Sequence, residues 1–270
     1  MKSGSVLVLI TLALFPAEAL AWGLQTHLFF AQHVLLALPL ADPELRRAAL
    51  RLPRLVLAGA CLPDLSLAGR ALGTPAFRHS HRWAMLRRFA AAACDEERAV
   101  ALGYASHLLA DVPAHNQFVP EHEARIGDIA WVTHAVSEWA MDEHVREAVF
   151  ARAGDLLDAE RAIVAPIVAR HMRCSEALAR RAMACLARAE RLLRRSALTR
   201  LCRAVVRRFD HHMAARFEAY LRETEAQLAQ AGAALEGAVP AAEAEPESSP
   251  GISPGFWRAG RLLPPRSLSG

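Results

Sequence analysis

Two pairs of side chains in this sequence have the types and the spacing of metal ligands. His107 precedes Asp111 by four positions, His134 precedes Glu138 by the same interval, and His115 adds an imidazole just past the first pair. On a helix, residues four apart share one face, so both can bind one divalent ion. One such pair alone is explained more simply as two neighbouring side chains on the surface of a helix. His107 lies in an apolar stretch, however, where an ionisable group is costly unless paired or coordinated, and this favours a metal site.

The N-terminus has the pattern of a cleaved export signal. An apolar run over 6–15 follows Lys2, and the small-x-small sequence of residues 19–21 is typical of a signal peptidase site. Cleavage there exposes the α-amino group of Trp22, five residues before His27. An N-terminal amine can bind a metal only after such processing. The sequence therefore predicts a secreted or periplasmic protein whose cut site contributes to its metal centre.

The ligand types, taken in order, carry a family resemblance over about residues 22–145. The chain resembles the zinc-dependent phospholipase C family, on the strength of these segments: Trp22 with His27, Pro63-Asp64, Ser80-His81, His107 through Asp111 to His115, and His134 with Glu138. The two four-residue intervals and the processed tryptophan carry most of the weight. The resemblance implies an all-α fold, a single multi-helix domain that holds three zinc ions in a cleft.

The resemblance also implies how the ligands divide among the ions. One zinc would be held by Asp64, His81, His107 and Asp111. Asp111 would bridge to a second zinc, held also by His27 and by the amine and carbonyl groups of Trp22. The third would be held by His115, His134 and Glu138.

This ligand chemistry suits the hydrolysis of phosphate esters. Imidazole and carboxylate are good zinc ligands, and a site without a full protein shell leaves room for water or substrate. Grouped divalent ions lower the pKa of bound water and stabilise charge on the attacking and leaving oxygens. Asp64 either ligates zinc or acts as the catalytic base on the attacking water, and the sequence leaves both roles open.

The substrate is less strongly indicated than the metal site. Glu138 resembles the phospholipase branch, whereas the short interval from Trp22 to His27 looks like that of the related single-strand-specific nucleases. The interval from Asp111 to His115 is shorter than is usual in either group. We therefore expect cleavage of phospholipid headgroups, with a nuclease or nucleotidase of the same fold, or a non-catalytic protein stabilised by metal, as the alternatives.

One ligand position has two candidates. His79 competes with His81 for the position after Asp64. We favour His81, because a Ser-His pair followed by an aromatic residue, here Trp83, looks more like the family pattern.

Apolar residues recur at helical spacing almost throughout, and strand patterns are nearly absent. Prolines and glycines around 39–43, 69–75 and 112–127 predict breaks between helices. The spacing predicts helices over 26–38, 44–61, 80–93, 96–111, 128–150, 155–170, 176–196 and 199–232.

The predicted domains are a signal peptide over 1–21, a helical zinc hydrolase domain over 22–232 and a disordered tail over 233–270, rich in Ala, Glu, Pro, Ser and Gly. No apolar segment after the signal peptide is long enough to span a bilayer. The formal charge of +4 arises in a chain whose only lysine is Lys2. Solvated arginines explain this charge most simply, and a peripheral contact with anionic lipid is the alternative. No stable nucleic-acid partner is expected.

Overall fold

The computed structural model describes residues 23–37, 40–126 and 130–244, and within these ranges the side chains of 123, 125, 126 and 130–134 are not described. The described residues form helices and no strand, which confirms the predicted all-α class. None of these helices combines the length and the apolarity that crossing a membrane demands. The helices are α1 Leu24–Ala37, α2 Pro43–Arg51, α3 Pro53–Gly59, α4 Leu65–Ala71, α5 Trp83–Ala90, α6 Asp95–Pro113, a π-helical turn Ala114–Phe118, α7 Val119–Ile126, α8 Ala130–Val145, α9 Ala153–Ala159, α10 Arg161–Met172, α11 Glu176–Arg195, α12 Leu198–Phe209, α13 Met213–Leu228 and α14 Ala231–Leu235.

The central helix is α6, whose residues are buried over most of its length. It is surrounded by α1, α2, α3, α5, α13 and α14. At its crossing with α3 the two backbones touch, because a Cβ atom added at Gly103 would overlap the Val56 carbonyl and one added at Gly59 would overlap the Val100 carbonyl. This close approach brings the segment after α3 against the face of α6 that carries His107.

Proline divides one predicted helix in two. The segment 44–61 is α2 and α3, which are separated at Leu52. Asp42 caps α2 by accepting a hydrogen bond from the Glu44 amide at 2.8 Å, and Pro43 occupies the first turn. Pro53 cannot continue α2, because it has no amide hydrogen to donate to the preceding turn. It can begin α3, because its fixed φ suits the first turn of a helix, where that hydrogen is not needed.

The predicted break over 112–127 was wrong, because the described chain remains helical there through residue 126. Helix α6 continues to Pro113, the wider π-helical turn follows, and α7 begins at Val119. A π-helical turn accommodates one extra residue per turn, and here it absorbs the disruption that a proline causes. Asn116 stabilises the turn by donating a hydrogen bond from Nδ2 to the Val112 carbonyl at 2.8 Å.

Three other boundaries differ from the sequence prediction. Helix α4 lies where no helix was predicted, the segment 155–170 is interrupted at Glu160, and the segment 199–232 contains breaks after α12 and after α13. Asp210 ends α12 and is held by Arg216 through two hydrogen bonds of 2.5 and 2.6 Å. A partly buried ion pair therefore stabilises this turn, which the spacing of apolar residues alone does not predict.

The folded region extends past the predicted boundary at residue 232. Helix α14 packs on α5 and α6, and the following segment reaches Ala244, which is fully buried. Trp83 donates from Nε1 to the Ala242 carbonyl at 3.0 Å, which anchors this segment to the start of α5. The predicted signal peptide and the predicted tail from residue 245 onwards lie outside the described residues.

The five cysteines are free thiols. Burial raises the pKa of Cys61, and raises that of Cys202 to about 12, so both thiols stay protonated and serve as packing groups.

Candidate metal centre

Five of the predicted metal ligands meet in the interior of the fold. His27 comes from α1, Asp64 directly precedes α4, His81 directly precedes the turn into α5, and His107 and Asp111 come from α6. All five are buried, with exposed fractions of at most 3%. Side chains far apart in the sequence are thus brought together by the packing of α1, α3 and α5 around α6.

Asp111 occupies the middle of this cluster. Its Oδ2 atom lies 3.1 Å from His107 Nε2 and 3.8 Å from His81 Nε2. Its Oδ1 atom lies 3.5 Å from His27 Nε2. The two oxygens of one carboxylate therefore face different imidazoles, which is the arrangement that a carboxylate bridging two cations requires.

Asp64 and His81 are the other two members of the cluster. The Asp64 Oδ1 atom lies 3.5 Å from His81 Nε2, and His81 Nε2 lies 3.2 Å from His107 Nε2. Within the described part of the chain, two groups have all their ligand atoms within 4.8 Å of one another: His27 with Asp64 and His107, and His81 with His107 and Asp111. His107 belongs to both groups, so the two sets of ligands are contiguous.

The orientation of His107 fixes which of its nitrogens can bind a metal. Its Nδ1 atom lies 2.7 Å from the Ala60 carbonyl oxygen, which can only accept a hydrogen bond. The proton is therefore on Nδ1, and the lone pair of Nε2 points into the cluster, as is usual for a zinc-binding histidine. The His27 ring stacks on that of His107, with centroids 3.5 Å apart and planes 11° from parallel.

His81 is positioned by contacts that sequence reasoning missed. Ser80 donates from Oγ to the Pro63 carbonyl at 2.5 Å, and the Tyr104 hydroxyl donates to the Ser80 carbonyl. Burial raises the pKa of Tyr104 well above its usual value, so its hydroxyl remains a donor. Tyr104 precedes His107 by three positions on α6, and that spacing was the only signal that it faces the cluster.

The electrostatics of the cluster call for a cation. Burial raises the pKa of Asp111 and the nearby Asp64 raises it further, while His107 and His81 oppose this shift. Two buried carboxylates that lie among titratable imidazoles are costly to ionise. A divalent ion removes that cost, and three imidazoles with two carboxylates are a ligand set typical of zinc. The residues therefore fit the metal.

A further buried carboxylate joins α8 to the start of α1. Asp142 Oδ1 accepts hydrogen bonds from the Thr26 amide at 2.9 Å and from the Thr26 hydroxyl at 2.7 Å. A Cβ atom added at Gly23 would overlap the Asp142 carboxylate. Burial raises the pKa of Asp142 to about 7. Asp142 thus holds the first turn of α1, and with it His27, against α8.

The other four predicted ligands, Trp22, His115, His134 and Glu138, are not part of this described cluster. Trp22 lies outside the described residues, and the side chain of His134 is not described. Glu138 is fully buried on α8, and His115 is half-buried in the π-helical turn. Among the described residues, neither belongs to the two groups of close ligand atoms.

The structure separates the two histidines that competed for one position. His79 is exposed, whereas His81 is buried in the cluster.

Three of the aromatic residues near the motifs are also buried, with exposed fractions of at most 4%: Trp83, Tyr104 and Trp139. None of these three offers a face on which a nucleotide base could stack.

Comparison with known proteins agrees with this geometry. A family model described as zinc dependent phospholipase C matches residues 26–226, a range that contains all five residues of the cluster and most of the helices around them. No curated protein and no solved structure matches the chain.

Proposed function

The chain belongs to the zinc-dependent phospholipase C family, and we propose that it cleaves the phosphodiester bond between the glycerol and the headgroup of a phospholipid. The observation that carries this proposal is the buried cluster of three imidazoles and two carboxylates on four segments of the fold. A ligand set of this kind suits a zinc hydrolase, and membership of this family supports a phospholipid as the substrate.

The proposed centre holds three zinc ions. The contacts of Asp111 support its role as a bridge, because one oxygen faces His81 and His107 while the other faces His27. In this arrangement the first ion would be held by Asp64, His81, His107 and Asp111, the second by Asp111, His27 and Trp22, and the third by His115, His134 and Glu138.

The chemistry follows from what these residues can do. Bound zinc would supply a Lewis acid that polarises the phosphate oxygens and lowers the pKa of water. The oxygen of water forms a bond to phosphorus, and the bond from phosphorus to the glycerol oxygen breaks. One proton of the water ends on the glycerol oxygen, so the products are diacylglycerol and a phosphorylated headgroup. Asp64 accepts the proton of the attacking water or serves as a ligand. The Ala60 carbonyl keeps His107 in the tautomer that points Nε2 inward.

A nuclease of the same fold is the second candidate. The burial of Trp83, Tyr104 and Trp139 weighs against it, because single-strand-specific binding depends on aromatic faces that bases can reach.

The test is headgroup release by zinc-loaded protein. We expect release of phosphocholine from short-chain phosphatidylcholine, loss of release on chelation and its return with zinc. Asp64→Asn should lower kcat by about a hundredfold or more, because a positioned base contributes about 100-fold to 10,000-fold. Degradation of single-stranded DNA without lipid turnover would establish the nuclease instead. A thermal stabilisation by zinc with neither activity would leave only a structural metal.

We further propose that the protein acts outside the cytoplasm, as a secreted or periplasmic enzyme. The support is the sequence pattern of residues 1–21. The N-terminal residue of the protein recovered from the medium or periplasm tests this: Trp22 is expected, and recovery of an uncleaved chain with Met1 contradicts it.

A further inference from the structure

Helix α12 presents an outer face with an unusual charge pattern. Its sequence contains four arginines and no acidic residue. All four are exposed: Arg200, Arg203, Arg207 and Arg208. We call these four residues, together with Leu201 beside them, the Arg surface.

The Arg surface is not neutralised by neighbouring acids. Its arginines form no ion pair among the described residues. Exposed arginines elsewhere do form such pairs, as Arg47 and Arg51 do with Asp95. The carboxylate closest in sequence, Asp210, is buried and is bound by Arg216. The positive charge of this face is therefore available to an external partner.

Apolar side chains accompany the charge. Leu201 is 48% exposed beside the arginines, and Phe209 is 61% exposed at the end of the helix. The exposure of a phenylalanine and a leucine to water is unfavourable. Basic residues with Phe or Leu among them are typical of surfaces that contact the headgroup region of a membrane. Nucleic acid would use the charge but would leave these apolar groups in water.

The Arg surface lies on a helix that packs against α8. The inner face of α12, formed by Leu198, Cys202 and Val206, is buried, and the helix packs along α8. Thr199 donates from Oγ1 to Glu143 Oε2 at 2.7 Å at one end of this contact. Since α8 also carries Glu138, a proposed ligand of the third zinc, and packed helix axes lie about 10 Å apart, the Arg surface is on the helix next to one that carries a proposed ligand.

We propose that the Arg surface is the site at which the protein docks on membranes that contain anionic phospholipid. The inference rests on the proposed phospholipase function, because docking brings the enzyme to lipid that is already in a bilayer. Attraction is electrostatic, each arginine near an anionic surface contributes, and Leu201, which lies beside the arginines, enters the headgroup region.

The experiment compares two double charge reversals of equal charge. Arg203→Glu with Arg207→Glu alters the Arg surface, whereas Arg87→Glu with Arg181→Glu alters exposed arginines on α5 and in the first half of α11. Thermal unfolding verifies that both variants fold. The zinc-loaded proteins are incubated briefly with vesicles of phosphatidylcholine, with or without phosphatidylserine, and bound protein is measured by co-sedimentation.

We expect wild type and the control to bind phosphatidylserine vesicles at low salt, to bind phosphatidylcholine vesicles weakly, and to dissociate as salt screens the charges. The Arg203→Glu, Arg207→Glu variant should bind at least about tenfold more weakly. Equal binding by this variant, or an equal loss in the control, overturns the proposal. So does wild-type binding to single-stranded DNA, rather than to vesicles, that depends on the same arginines.

A second readout separates this inference from the proposed function. On short-chain phosphatidylcholine below its micelle concentration, both variants should match wild type, because no membrane is involved. On phosphatidylserine-containing vesicles, only the Arg-surface variant should be slower. If none of the proteins cleaves the monomeric lipid, the proposed phospholipase function fails, and vesicle binding still decides whether the Arg surface docks on membranes.

Discussion

Asp111 shows how one side chain organises the centre. One of its oxygens lies 3.1 Å from His107 Nε2, and the other lies 3.5 Å from His27 Nε2. Its side chain is fully buried on α6. A carboxylate in this place is stable as an anion only if positive charge lies between the surrounding imidazoles, which is why the residue indicates a metal more strongly than its sequence motif does.

The buried carboxyl group of Asp142 should make the stability of the folded protein depend on pH. Burial raises its pKa to about 7 in the folded protein, from an ordinary value of 3.8. The folded state therefore binds more protons than the unfolded state between these values, and the free energy of unfolding should fall as pH rises from about 4 to about 7. Asp142→Asn keeps an oxygen that can accept from Thr26 but does not titrate. We expect this variant to lack most of that decline.

The measurement is urea unfolding at a series of pH values for both proteins. Other buried carboxylates, such as Glu190, contribute to both curves and cancel in the difference. A difference that stays constant with pH would contradict the assignment of this titration to Asp142.

The close crossing of helices α3 and α6 determines whether the cluster can assemble. Gly103→Ala adds a methyl group against the Val56 carbonyl, so the helices must separate. We expect a loss of about 1–3 kcal/mol in the free energy of unfolding, as is usual when extra atoms enter a close-packed interior. Zinc affinity should fall as well, because Ala60, which orients His107, follows α3 directly.

Gly232→Ala is the matched control, because a Cβ atom on this helical glycine meets no atom within 4 Å. It should be neutral or slightly stabilising, since alanine favours the helix by up to about 1 kcal/mol. Chemical denaturation of both variants, with zinc competition by a chelator, makes the comparison. Equal stability of the two variants would show that α3 and α6 can move apart without loss of stability.

The sequence predicted the elements where local spacing alone determines them. The four-residue interval from His107 to Asp111 is a property of one helix, so both residues could be assigned to a common face in advance. Pro53 and the π-helical turn show the limit of this reasoning: one proline begins a new helix, whereas Pro113 is absorbed in a continuous one. Which outcome occurs depends on tertiary packing, which single-sequence patterns do not contain.

The candidate site shows the same limit. The choice of His81 over His79 followed a family pattern, whereas its physical cause is the hydrogen bonding of Ser80 and Tyr104. These bonds join residues distant in the sequence, and nothing in the local pattern of either residue reveals them. The close approach of α3 and α6 at Gly59 and Gly103 is likewise visible only when both helices are in place.

At the scale of the whole molecule, the N-terminus is expected to complete the centre. Asp142 holds the first turn of α1, and Gly23 must lack a side chain at that contact. We predict that protein beginning at Trp22 binds about one more equivalent of zinc than protein with one extra residue before it, because the extension removes the free α-amine. Metal analysis after dialysis measures this. Equal zinc content would remove the amine from the ligand set.

The most direct test of the account is the zinc content of Asp111→Asn. This substitution preserves size and helix position but removes the charge that faces His27, His81 and His107. Asp95→Asn, which alters a carboxylate paired with Arg47 at the surface, is the control. We predict that wild type and the control retain zinc through dialysis, while folded Asp111→Asn loses at least about one equivalent. Wild-type zinc content in Asp111→Asn would contradict the claim that these buried residues form a metal centre.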